Sequence, residues 1–131
     1  MAWKTCVLVV ANQTADSDEL LRRLKTRGDA QFTLLLPALP GAARDDSRRR
    51  LDQVLEAMRA AGLEVEGLIG DSSPLTAVRE TWDPAKYDEI VVSTLPTGVS
   101  KWLQIDLPHQ VERATGVPCE HVVATPQPAG G

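Results

Sequence analysis

Apolar and polar positions fall into blocks along the chain, and the period of each block predicts its element. Residues 5–11, Thr5-Cys6-Val7-Leu8-Val9-Val10-Ala11, form a continuous apolar run rich in β-branched side chains. That predicts a strand buried on both faces, since a half-exposed strand would alternate. Leu20, Leu21 and Leu24 then share a helical face, with Asp16 or Ser17 as cap and Gly28 as stop. Phe32 to Leu36 predicts the second strand, closed by Pro37 and Pro40. Leu51, Val54, Leu55 and Met58 recur at i, i+3, i+4 and i+7, the spacing of an amphipathic helix that Gly62 ends. The run Arg48-Arg49-Arg50 is expected on its solvated face; the alternative, an anion site, is disfavoured because three cations near a helix start oppose its dipole.

Residues 63–70 alternate, as a strand nearer the sheet edge would. Ser73 before Pro74 matches an N-cap followed by proline at the first helical position. Leu75, Val78 and Trp82 continue that helix, and Asp83-Pro84 ends it. Glu89 to Thr94 predicts the fourth strand. Asp106 is the expected cap of a fourth helix through Leu107, Val111 and Ala114, stopped by Gly116. Pro118 to Ala124 predicts the fifth strand. Strands alternating with helices, joined by connections long enough for crossovers, predict a parallel sheet. The fold class is therefore α/β: a three-layer Rossmann-like domain with a five-stranded parallel sheet and helices on both faces.

A chain of 131 residues is one domain by length. The domain is placed at residues 1–125; residues 126–131, rich in proline and glycine, predict a flexible tail. A net charge of −4 disfavours binding to a nucleic-acid backbone, which selects basic surfaces. No apolar run approaches the roughly 20 residues that span a bilayer, and no signal peptide is visible, so a cytoplasmic protein without membrane contact is expected. The two cysteines, Cys6 and Cys119, have no CxxC neighbour or His/Cys cluster, which points away from zinc and toward two free thiols in a reducing compartment.

Candidate chemistry gathers where strands end. In an open parallel sheet, ligands bind outside the carboxyl ends of strands at the point where strand order reverses. Asn12, Gln13 and Thr14 follow the first strand and offer donors and acceptors for a sugar or a base edge; they equally suit an ordinary polar turn. Pro37 and Ala38 follow the second strand. Thr94, Thr97, Gly98, Ser100 and Lys101 follow the fourth and suit a ligand's polar end, or a loop whose hydroxyls satisfy its own backbone. Trp102 is expected to pack rather than to stack on a ligand. His109 and His121 have no nucleophile placed beside them by any local motif, and no Walker loop, Gly-x-Ser-x-Gly or paired-carboxylate signature occurs. The chain is not expected to be an enzyme; a hydrolase reading rests on fold analogy alone.

Taken together, several stretches resemble the universal stress protein family: Leu8-Val9-Val10-Ala11 before a polar turn, Gly70-Asp71-Ser72-Ser73-Pro74 opening the third helix, Gly98-Val99-Ser100-Lys101 after the fourth strand, and Ala114 to Val123 as the last helix-to-strand passage. The resemblance implies strand order 3-2-1-4-5, with the first and fourth strands adjacent. It implies a nucleotide pocket across the ends of those two strands in the ATP-binding branch, and homodimerisation, often through the last strand, here Cys119, His121 and Val123. It also exposes departures. Where that branch usually ends its first strand in aspartate, this chain has Asn12. Of the glycine pattern Gly-x2-Gly-x9-Gly, the first two places fall on or near Ser93 and Pro96 and the third near Asp106, while Gly98 and Ser100 survive. Proline lacks an N–H donor, and a carboxylate at a helix start repels an anion. Two expectations follow: a binding domain for ATP, AMP or another adenine nucleotide, or a dimeric interaction protein that has lost the phosphate-binding glycines.

Overall fold

The computed structural model describes residues 4–39, 41, 43–96 and 100–124. Thr97, Gly98 and the tail at 126–131 lie outside the described residues. The elements run β1 (Thr5–Val10), α1 (Asp18–Lys25), β2 (Ala30–Pro37), α2 (Arg44–Ala60), β3 (Glu64–Gly70), α3 (Pro74–Thr81), β4 (Glu89–Thr94), α4 (Lys101–Gln104), α5 (Leu107–Thr115) and β5 (Cys119–Val123). The sheet is parallel throughout, in the order β3-β2-β1-β4-β5. β1 sits at its centre, paired to β2 from Thr5↔Ala30 to Val10↔Leu35 and to β4 from Val7↔Glu89 to Val10↔Val92.

Burial on both faces explains the unbroken apolar runs of β1, β2 and β4. Val7, Val9, Leu34 and Val91 face one layer, where Leu20 and Leu24 of α1 and Leu51, Val54, Leu55 and Met58 of α2 cover them. Leu8, Val10, Leu35, Ile90 and Val92 face the other, beneath Ala77 and Val78 of α3 and Leu107 and Val111 of α5. Edge strand β3 is the one that alternates, with Val65 buried between the exposed Glu64 and Glu66. Among the described residues no helix is long and apolar enough to cross a membrane.

Local signals fix most element ends. Ser17 caps α1, its hydroxyl accepting from the Leu20 N–H at 3.2 Å. Ser73 caps α3 with Pro74 in the first turn, and Asp71 accepts from the Ser73 N–H at 2.8 Å. The expectation of a single fourth helix is corrected. A four-residue helix, α4, precedes α5, capped by Ser100 through the Leu103 N–H at 3.2 Å. Asp106 precedes α5 but makes no side-chain cap bond; its backbone is left-handed, with φ 54°, and its carboxylate binds His109 Nδ1 at 2.9 Å. A short polar side chain tolerates that backbone region better than a branched one.

Candidate functional site

The connections after β1 and β4 leave toward opposite faces of the sheet, because α1 covers one layer and α5 the other. Their departure opens a crevice between neighbouring strand ends. A cavity of about 440 Å³ lies there. Asn12, Gln13 and Thr14 line it from the end of β1, Pro37 and Ala38 from the end of β2, and Thr94, Ser100 and Lys101 from the end of β4 and the start of α4. The structure thus brings eight of the ten sequence-derived candidates to one rim; Thr97 and Gly98 fall outside the described residues.

Side-chain hydrogen bonds order the floor. Asn12 Nδ2 donates to the Pro37 carbonyl at 3.4 Å. Thr14 Oγ1 and Ser93 Oγ are 2.6 Å apart and buried. Thr94 Oγ1 donates to the Leu95 carbonyl at 2.9 Å and lies 2.7 Å from His121 Nε2. Behind the rim, Arg50 spans the β1–α1 loop: Nη2 donates to the Asn12 carbonyl at 3.3 Å and Nη1 to Asp16 Oδ2 at 3.4 Å. This corrects the expectation of a uniformly solvated arginine run, since Arg50 is turned inward and half-buried. A second cavity of about 370 Å³ adjoins the first across Asn12, Gln13, Pro37 and Leu39, with Arg50 in its wall.

Several lining residues were not among the sequence candidates. Ser72 and Pro74 come from the start of α3, and Ser93 from within β4. Leu39 and Ile105 stand on the rim, each about half exposed. Trp102 packs against the core and lines the cavity, so the two readings of that residue were not exclusive. Ser93 carried a usable signal, as a polar residue near the carboxyl end of an apolar strand.

The chemistry of the walls is specific in kind. Apolar side chains share the lining with hydroxyls and the two amides of Asn12 and Gln13, which suits a flat ring beside a hydrogen-bonding sugar. Among the described lining residues Lys101 is the one cation, and none is acidic. His109 is exposed, bound to Asp106, and not part of the lining. No group of three or more His, Cys, Asp or Glu able to hold a metal occurs among the described residues.

Fold and cleft together define a doubly wound α/β domain with a crevice between the ends of its first and fourth strands. The same architecture occurs in solved structures. A universal stress protein in complex with cAMP superposes with a TM-score of 0.64 at 20% identity, covering 95% of this chain and 100% of its own. A universal stress protein family protein from Arabidopsis thaliana with AMP bound superposes with a TM-score of 0.58 at 13% identity, covering 92% of each chain. No family model matches the chain, and no curated protein sequence does. The chain therefore has the universal stress protein fold.

Proposed function

We propose that this chain is a cytoplasmic nucleotide-binding module of the universal stress protein family, not an enzyme, and that it holds an adenine nucleotide over the carboxyl ends of β1 and β4. The observation that carries the reading is the convergence of Asn12–Thr14, Pro37–Ala38 and Ser93–Lys101 on one cavity at the switch point. The base would sit against Pro37, Ala38 and Leu39, the sugar over the hydroxyl floor, and the phosphate toward Ser100 and Lys101. Structures of the same fold with AMP and with cAMP support the ligand class. Lys101 alone balances about one phosphate charge, and Thr97, Gly98 and Val99 add no charge by composition. Calorimetric titration with ATP, ADP, AMP and cAMP tests this. Binding of at least one, with a matching rise in melting temperature, is expected; no heat and no shift with any of them rejects it.

A second reading is favoured by Pro96, Asp106 and the open edge of β5, where Val123 is 49% exposed. In it, the chain is a homodimeric regulator paired along β5, using an unpaired strand edge as its interface. Sedimentation without nucleotide separates the two: a dimer that binds no nucleotide favours the second, a monomer at high concentration removes it.

A further inference from the structure

At the carboxyl end of the sheet, three side-chain hydrogen bonds join three neighbouring strand pairs. Asn12 ties the end of β1 to Pro37 on β2, Thr14 ties it to Ser93 on β4, and Thr94 ties β4 to His121 on β5. Five of these six residues line the cavity; His121 stands outside it, on the open edge strand.

Proton accounting decides what that last bond does. A threonine hydroxyl has one proton. A carbonyl oxygen can only accept, so the contact with the Leu95 carbonyl at 2.9 Å is a hydrogen bond only when the Thr94 proton points there. Both contacts are then satisfied together in one arrangement: the hydroxyl oxygen accepts from His121 Nε2, 2.7 Å away, and Nε2 carries the hydrogen. Burial holds the His121 imidazole below its ordinary pKa, which favours the neutral ring, here in its Nε2–H tautomer. Thr94 is then left with no proton for a ligand. Its remaining valence is a lone pair, which pairs with a hydroxyl or amino group and not with a phosphate oxygen.

We infer that His121 is a positioning residue of the cleft: from the edge of the sheet it fixes the Thr94 hydroxyl as an acceptor, so that this part of the floor takes a ligand hydroxyl or amino group and turns a phosphate away. The inference rests on the nucleotide reading above. It places the sugar or base, and not the phosphate, over Thr94.

The test uses AMP as probe and imidazole nitrogen NMR on the free protein. The neutral His121 ring is expected as the Nε2–H tautomer at pH 7.5; the Nδ1–H tautomer overturns the inference. His121→Phe should weaken AMP binding by about 5- to 10-fold, as loss of one oriented hydrogen bond does. His121→Gln, whose amide reaches the same point and donates, should restore affinity to within about twofold of wild type. Thr94→Val should cost as much as His121→Phe, and the double variant no more than either, because one interaction is removed twice. Wild-type binding that His121→Phe leaves unchanged, or additive losses, would sink the inference while the nucleotide reading stands. If the Phe variant does not fold, the tautomer and the Gln variant decide. A wild-type protein that binds none of AMP, cAMP, ADP and ATP removes the nucleotide reading itself, and the ligand half of the inference with it.

Discussion

Single residues in this chain take their properties from depth. Cys119 opens β5 under α5, with its N–H bonded to Glu112 Oε2 at 3.1 Å. Burial first, and the Glu112 carboxylate second, push its thiol up to about 12. The thiolate is the reactive form, so at pH 8 only about one thiol in ten thousand is competent. Iodoacetamide at pH 8 should leave Cys119 unmodified in the native protein and label it once urea unfolds the chain. Mass spectrometry of the two digests checks this; rapid native labelling of Cys119 contradicts the stated burial. Residue roles that depend on near neighbours were legible in the sequence. Ser17 and Ser73 act within three positions of themselves, and their local patterns announced it. Arg50 was not legible. Arg48, Arg49 and Arg50 look alike in sequence, and only the rotation of α2 on the sheet decides which one meets Asn12 and Asp16. His121 was equally opaque, since its partner Thr94 lies 27 positions away.

Elements meet closely where β3 ends. A Cβ added at Gly70 would lie 2.7 Å from the Ala77 Cβ and 2.8 Å from Leu35 Cδ1. Ala77 has no rotamer with which to retreat, so α3 as a whole would have to shift. At Gly67 the close atoms are the ends of Leu51 and Leu55, which have some freedom to turn aside. Gly70→Ala should therefore destabilise the protein by about 1–3 kcal/mol, and Gly67→Ala by less. Urea denaturation of the pair checks the order; equal midpoints would contradict the packing argument. Because α3 carries Ser72 and Pro74 to the cavity, Gly70→Ala should also weaken any ligand the cleft holds. The central strands were readable as continuous apolar runs, and β3 and the long helices by their periods. α4 was not, since four residues complete barely one turn and leave no repeat to detect. Asp106 misled for a related reason: its type fits a cap, but the break between α4 and α5 puts it in a left-handed turn.

The whole molecule is closed at its other end by charge. Arg27, following α1, binds Glu89 on β4 at 2.9 Å and Glu120 on β5, and Arg23 Nε approaches Glu120 at 3.5 Å. The Arg27 side chain is 13% exposed. Burial works against its charge, but the hydrogen bonds to Glu89 and Glu120 outweigh that and hold its pKa above the usual value. Arg27→Ala removes the cation shared by Glu89 and Glu120, leaving Glu120 with Arg23, and should cost about 1–3 kcal/mol. Glu89 pairs near the start of the β1–β4 ladder, whereas the cleft lies past the strands' carboxyl ends. Nucleotide affinity should accordingly stay within about twofold of wild type in the folded variant, a change within the scatter expected for distant sites. Stability by urea and affinity by calorimetry on one sample check both halves. Strand order follows from the resemblance that the terminal loops carry, and the structure has that order. The shape of the cleft needed coordinates, because its rim draws on four separate stretches of chain.

The central place of β1 has a consequence for how the chain is made. Thr5–Val10 is synthesised before the other four strands, and its partner on one side, Glu89–Thr94, comes some eighty positions later. Until the ribosome has delivered that segment, one flank of the most apolar strand has no neighbour. Distant pairing of this kind slows folding and leaves a sticky nascent intermediate. The period of greatest vulnerability to misassociation therefore falls during translation, before the fourth strand has emerged.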